Sequence, residues 1–172
     1  MSAVPQSAGK AWVFGDNVDT DQLAPGIYMK QPIEEIARHC LEAADPQFAS
    51  KVAAGDIVVG GRNFGMGSSR EQAAQALRQL GVSAVLARSF GGIFYRNALN
   101  LGLMALVCPE AEKIAAGDRL ALEPERGQVH NLTRNETYPC EPIPPHLTEM
   151  VRAGGLVAYL ERRMGNANGG RQ

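Results

Sequence analysis

The stretch Gly60-Gly61-Arg62-Asn63-Phe64-Gly65-Met66-Gly67-Ser68-Ser69-Arg70-Glu71 carries the residue types and the spacing from which chemistry could be built. Four glycines let the backbone turn tightly where an apolar strand ends, and a helix is expected to open at the two serines and the arginine. Unpaired backbone N–H groups and the positive end of the helix dipole converge at such a junction. Arg70 adds a planar cation that can hold a carboxylate at two points. The chemistry implied is the binding of a small anion with hydroxyl groups beside it. Familiar loops of similar composition do not fit. A phosphate-binding Walker loop needs Gly-Lys-Ser/Thr, and Gly67 is followed by Ser68 with no lysine. A dinucleotide loop needs a third glycine at the position of Arg70, and a nucleophile elbow needs Gly-x-Ser-x-Gly. A purely structural role also fits: Ser68 with Glu71 three residues on matches a capping box, which contributes about 0.5–2 kcal/mol to a helix. The two serines could divide these roles.

The elements that must position this loop alternate between strand and helix signals. Trp12-Val13-Phe14 reads as a strand ending at Gly15-Asp16. Residues 33–44 carry an apolar stripe through Ile33, Ile36, Ala37, Cys40, Leu41 and Ala44, with Asp45-Pro46 as the stop. Residues 56–59 form a buried strand leading into the glycine loop. Residues 70–80 follow as a helix with Ala73, Ala76, Leu77 and Leu80 on one face, closed by Gly81. Ala84–Ala87, residues 93–101 and Met104–Val107 then read as strand, helix and strand. That order favours parallel strands with crossover helices. Beyond Pro109, Arg119–Glu123 and residues 128–133 alternate like antiparallel strands, and residues 139–145 form a rigid extended stretch. A final helix is expected over 150–164, interrupted at Gly154-Gly155, followed by a flexible tail over 165–172. The fold class expected is α/β: one domain over 1–164 with mostly parallel central strands and a β-rich C-terminal part. The functional loop should lie at the carboxyl end of strand 56–59, where such sheets place ligands.

Composition narrows the function. A chain of 172 residues, 45% apolar and 20% charged, suits one globular domain with a core of its own. A net charge of −1 offers no broad basic field for nucleic acid. No apolar run approaches the roughly 20 residues that span a bilayer, and residues 1–10 lack the apolar centre of a signal peptide. A cytoplasmic protein without membrane or nucleic-acid partners is expected. Cys40, Cys108 and Cys140 are far apart and form no Cys-x-x-Cys pair, so they read as small buried hydrophobes. His39, His130 and His146 are scattered and read as surface or satisfied side chains. No metal site is expected in this chain.

Three segments carry a resemblance. Residues 63–71, Asn-Phe-Gly-Met-Gly-Ser-Ser-Arg-Glu, resemble the signature of the aconitase swivel domain, and so do residues 89–102, which open Ser89-Phe90-Gly91-Gly92. Residues 15–25, with Asp19-Thr20-Asp21, resemble the opening of the isopropylmalate dehydratase small subunits within that family. The three stand in the family order and spacing, between Trp12 and Val107. The resemblance implies a β/β/α-type swivelling domain that serves a hydro-lyase and is active only with a large subunit. It implies an isomerisation of a hydroxy-di- or tricarboxylate by loss and return of water, with a [4Fe-4S] cluster held by the large subunit and no cofactor in this chain. By motif position Ser68 resembles the catalytic base, Ser69 and Arg70 bind the substrate carboxylate, and Asp21 supports the site. A turn-forming role for Asp21 fits equally well.

In this family the stretch after Asp-Thr-Asp helps choose the substrate side chain. Here it is Gly26-Ile27-Tyr28-Met29-Lys30-Gln31-Pro32, without the arginine often found there. Tyr28 and Met29 are therefore expected to contact an alkyl-substituted malate, with 3-isopropylmalate and leucine biosynthesis as the leading assignment. Lys30 keeps homoaconitate open. Met66 and Gln72 depart from a frequent cysteine and a common histidine, which leaves room for 2,3-dimethylmalate or citraconate. A non-catalytic carboxylate-binding module is the reading from another class.

Overall fold

In the computed structural model, which describes residues 8–169, the apolar runs assemble into one mixed sheet with helices packed on it. The first half comprises β1 (Ala8–Val13), α1 (Thr20–Leu23), a 3-10 turn (Gly26–Tyr28), α2 (Ile33–Arg38), α3 (Phe48–Lys51) and β2 (Ile57–Val59). Next come α4 (Gln72–Gln79), β3 (Ala84–Ala87), α5 (Gly92–Asn100) and β4 (Met104–Val107). The chain ends with β5 (Arg119–Glu123), β6 (Gln128–Asn131), β7 (Glu136–Pro139), α6 (Pro145–Arg152) and α7 (Leu156–Gly169). The strand order is β4-β3-β2-β1-β5-β6-β7. The first four pair in parallel, and β5, β6 and β7 pair antiparallel from β1 outward. Every residue of β2 and β3 is buried, as expected of strands covered on both faces. The sheet curls enough for its two outer edges to meet: the Glu141 N–H, just past β7, donates to the Val107 carbonyl of β4 at 2.8 Å.

The parallel half and the antiparallel C-terminal half agree with the expectation from sequence, but several boundaries do not. The helix expected over 33–44 ends at Arg38. Leu41 adopts φ +59°, its N–H donates to the Gln22 carbonyl at 2.8 Å, and its side chain is fully buried. A turn anchored to α1 thus buries Cys40 and Leu41 beside Ile36 and Ala37, while Ile33 is half-buried and Ala44, the last residue of the expected stripe, is exposed. Of the expected extended stretch over 139–145, Pro139 ends β7, 140–144 lie outside helix and strand, and Pro145 starts α6, where Pro144 and Pro145 open the helix without needing an N–H. Strand β7 was not expected. It pairs with β6 through a turn in which Asn135 takes φ +55°. The break between α6 and α7 falls at Gly154 and Gly155, as expected, both at positive φ. Helix α7 continues past Met164 to Gly169. The rest of the expected flexible tail, 170–172, lies outside the described residues.

One turn is used twice. Ala53-Ala54-Gly55-Asp56 leads into β2 and Ala115-Ala116-Gly117-Asp118 leads into β5. In each, the aspartate Oδ2 accepts the N–H of the first alanine at 2.9 Å and the glycine sits at positive φ. Asp56 also accepts from Trp12 Nε1 at 2.9 Å, and Asp118 from Asn131 Nδ2 at 2.8 Å. The two carboxylates therefore bind the strands on either side of their turns.

Burial works against the charge on Asp118, but the bonds from Asn131 and Ala115 and the nearby Arg134 outweigh it and hold its pKa below the ordinary carboxylate value. A depressed folded pKa adds stability that is present above the unfolded value and lost as pH falls through the folded one. Asp118→Ala is therefore expected to lower the unfolding free energy by about 1–3 kcal/mol at neutral pH, the cost of orphaning buried donors. In urea titrations the difference from wild type should shrink as pH falls below about 4, where the carboxylate protonates in the unfolded chain before it does in the folded one.

Candidate functional site

Three loops meet at the carboxyl ends of β1, β2 and β3, and the backbone ties them together. Asn17 N–H donates to the Arg62 carbonyl at 2.8 Å, Gly65 N–H to Val18 at 2.6 Å and Thr20 N–H to Met66 at 2.9 Å. On the other side Phe64 N–H donates to Ser89 and Gly91 N–H to Phe64, at 3.0 and 2.9 Å. Phe64 is fully buried and anchors the loop by edge-to-face contacts with Phe90 and Phe94, ring centroids 6.1 and 5.4 Å away. With Phe64 drawn inward, the chain must climb back out over Phe94. Gly65 does so at φ +80°, where a Cβ would stand 2.2 Å from Phe94 Cγ. Gly67, at φ +115°, passes Thr20 so closely that a Cβ would lie 2.9 Å from Thr20 Oγ1. The three motif segments singled out in the sequence are thus one structure.

The loop delivers Ser68 to the surface beside a buried hydroxyl. Thr20, 3% exposed, accepts the Ser68 N–H at Oγ1 at 3.1 Å, and the two hydroxyl oxygens are also 3.1 Å apart. If Ser68 loses its proton, that second contact can run only one way, with Thr20 donating. Helix α4 begins later than expected, at Gln72, and Glu71 at its N-cap makes no side-chain cap. The capping box between Ser68 and Glu71 is not formed, because Glu71, and not Ser68, occupies the N-cap; the Ser68 hydroxyl is paired with Thr20 instead.

Arg70 is held by α1 and the turn after it. Its Nη1 donates to the Ala24 carbonyl at 2.7 Å and lies 3.3 Å from Asp21 Oδ1. The same oxygen of Asp21 accepts the Gly26 N–H at 2.9 Å. That backbone bond first, and Arg70 second, hold the Asp21 carboxyl below its ordinary pKa, so it stays ionised beside the guanidinium. Asp21 is not the cap of α1; Asp19 is, in a complete capping box with Gln22. Both contacts of Arg70 run through Nη1, which leaves the Nη2–Nε edge outside them. Ser69 is exposed, and its carbonyl accepts from Asn97 Nδ2 of α5 at 3.3 Å.

The structure brings Ser68, Ser69, Arg70 and Asp21 together through α1, the glycine loop and α5. Tyr28 and Met29 lie in the adjoining segment but turn elsewhere. The Tyr28 ring stacks on His39, centroids 3.7 Å apart at 9°, and Met29 is half-buried against the core. Ile27, 84% exposed, is the apolar side chain of this segment that faces outward. Sequence reading passed over Thr20 and Asn97 as partners of the loop. Both lie inside motifs it quoted, but their bonds join residues 48 and 28 positions apart.

The cysteines offer no cluster site. Cys40 and Cys108 are fully buried and Cys140 nearly so. Burial raises all three thiols, Cys140 to about 11, which opposes the thiolate form that iron needs. Among the described residues no three His, Cys, Asp or Glu side chains are grouped to hold a metal ion, and no helix is long and apolar enough to cross a membrane.

Comparison with known proteins fits this geometry. Residues 17–111 match the Aconitase C-terminal domain family, and the match includes the whole three-loop site. The chain is 49% identical over 158 residues to the 3-isopropylmalate dehydratase small subunit of Moorella thermoacetica, covering 91% of this chain and 95% of that one. It is 46% identical to the isopropylmalate/citramalate isomerase small subunit of Methanocaldococcus jannaschii, covering 91% and 94%. A crystal structure of 3-isopropylmalate dehydratase from the same archaeon superposes with a TM-score of 0.87 at 41% identity, over 94% of this chain and 96% of that one.

Proposed function

The chain belongs to the aconitase C-terminal domain family, and on that premise we propose that it is the small subunit of a cytoplasmic hydro-lyase that interconverts 2- and 3-isopropylmalate in leucine biosynthesis. The observation that carries this reading is the pairing of Ser68 with the buried hydroxyl of Thr20, on a loop whose next cation, Arg70, is already oriented by Asp21. Arg70 and the Ser69 hydroxyl hold one carboxylate of the acid. Ser68 takes the proton from the carbon beside that carboxylate, and hydroxide leaves the neighbouring carbon, so the pair of steps removes one water and forms an alkene. Water returns in the opposite sense to give the isomer.

A serine can act as a base only if its anion is strongly stabilised. Thr20 Oγ1–H is placed to donate to it, and Arg70 adds positive charge to the same loop. The departing hydroxide needs a Lewis acid. Among the described residues no side chains are grouped to hold one, and the large subunit, with its expected [4Fe-4S] cluster, is the source. The large subunit is the partner and a hydroxy-dicarboxylate the substrate, with neither nucleic acid nor membrane involved.

The segment Gly26–Tyr28 and the residues up to Pro32 contain no arginine, and one relative is named for both isopropylmalate and citramalate. A second reading, a related dehydratase acting on citramalate, dimethylmalate or homocitrate, follows from these two facts. The deciding experiment combines the chain with its large subunit, reconstituted without oxygen, and follows alkene absorbance on isopropylmalate, citramalate, dimethylmalate, homocitrate and citrate. Turnover that requires both chains and is fastest on isopropylmalate is expected. Preference for another acid would move the assignment to that acid, and no turnover from an intact complex would leave a carboxylate-binding module.

A further inference from the structure

His39 lies outside the three motif segments, yet its surroundings are built with care. Its Nδ1 is 2.7 Å from Glu42 Oε2 and its Nε2 is 3.3 Å from Glu35 Oε1. Only the imidazolium has a donor on each nitrogen, so two carboxylates at opposite corners of the ring call for the charged form. The Tyr28 ring lies flat on that cation at 3.7 Å. Tyr28 belongs to the segment between Gly26 and Pro32 that borders Asp21 and Arg70, since the Gly26 N–H is bonded to Asp21. An open groove of about 540 Å³ separates this segment from α2, lined in part by Tyr28, Gln31, Glu34 and Arg38. Across that gap the Tyr28–His39 stack is the bridge, while Met29 packs on the core nearby.

We propose that His39 is a positioning residue: its imidazolium, clamped between Glu35 and Glu42, holds Tyr28 and so sets the placement of the 26–31 segment against the carboxylate-binding Asp21–Arg70 pair. Its role in catalysis rests on the function proposed above; its role in holding the segment does not.

The charged groups facing the ring are Glu35 and Glu42, and Arg38 shares the other oxygen of Glu35 at 3.4 Å. Charges on the neighbouring elements are engaged elsewhere. Asp21 of α1 is on Arg70, Lys51 of α3 on Gln47, and Arg78 of α4 on the Leu101 carbonyl. The bond to Glu42 and, after it, the bond to Glu35 outweigh partial burial and raise the His39 pKa above 6.5. With a raised folded pKa, the clamp is complete below the ordinary histidine value and is lost as pH rises through the folded one.

The test uses two measurements. In the isolated chain, NMR follows the His39 ring and the backbone amides of residues 26–31 through an alkaline titration. The amides and the Tyr28 ring protons are expected to shift with the midpoint of His39 itself, and to lose that transition in His39→Gln. In the holoenzyme, KM for 3-isopropylmalate should rise through the same midpoint by roughly two- to five-fold, the size of an exposed cation–π contact, with kcat unchanged. In His39→Gln the KM should already be high and flat with pH. Segment amides that ignore the His39 transition would overturn the proposal whether or not the holoenzyme turns over. So would a kcat effect with unaltered KM. If the amides titrate as expected but no acid is turned over, the positioning role stands and the assigned reaction falls.

Discussion

Ser68→Ala is expected to lower kcat of the assembled enzyme by about 10²–10⁴-fold, the usual worth of a positioned general base, while KM for the acid changes little. Ser68 is exposed and its side chain supports no helix cap, so the variant should unfold at the wild-type urea concentration. The carboxylate grip is left to Ser69 and Arg70, which is why the loss should appear in kcat and not in binding. Thr20→Val is the informative companion. It keeps the volume of a residue that is 3% exposed but removes the hydroxyl 3.1 Å from Ser68 Oγ. If Ser68 works as an anion, losing this donor should cost on the order of 10²-fold, the lower range for one oxyanion-stabilising group. Steady-state rates on isopropylmalate check both variants. A Ser68→Ala enzyme with normal kcat would mean that the proton leaves to a group on the large subunit.

Gly65→Ala is expected to destabilise the fold strongly. The backbone there is at φ +80°, and the new methyl would stand 2.2 Å from Phe94 Cγ and 2.5 Å from Phe94 Cβ. Phe94 cannot step aside, because it is buried and locked against Phe64 and Phe90. Left-handed backbone costs an alanine about 1–2 kcal/mol and overpacking about 1–3 kcal/mol, so a loss of roughly 2–5 kcal/mol is expected. A urea midpoint shifted downward with an unchanged slope would report it. Gly92→Ala is the control. It lies one loop away, with nothing within 4 Å of the added methyl and no positive φ, and should leave the midpoint within experimental scatter. Should both variants melt alike, the wedge of Phe94 under the loop is not what demands glycine at 65.

Much of this molecule is legible in one dimension, and the reasons are local. Short apolar runs bounded by turn residues, such as Ile57–Val59 and Ala84–Ala87, fit strands buried on both faces, and the helices between them follow from periodicity and from glycine stops. The glycines, hydroxyls and arginine within eleven residues are equally local, and they are what made an anion site the expectation for the loop. Where sequence reading failed, two local solutions were equally good. The stripe's Ile36, Ala37, Cys40 and Leu41 are buried as well by a short helix and a turn as by a long helix, and the Gln22 carbonyl that receives the Leu41 N–H decides between them. Ser68 could have capped a helix or faced a ligand; the helix opens only at Gln72, and the Ser68 hydroxyl pairs with Thr20, 48 residues away.

From sequence alone came the strand–helix alternation of the parallel core, the expectation of an anion site in the loop and, through the resemblance, the chain's place in a hydro-lyase. Tertiary structure alone decided who touches whom. It set Thr20 on Ser68, Asp21 on Arg70, Asn97 on Ser69 and His39 under Tyr28. The difference is physical: propensity, periodicity and glycine stereochemistry act within a few residues of chain and leave a trace there. A hydrogen bond, a ring stack or a steric wedge joins segments that only the folded sheet brings together, and each partner on its own looks like an ordinary surface threonine, asparagine or histidine.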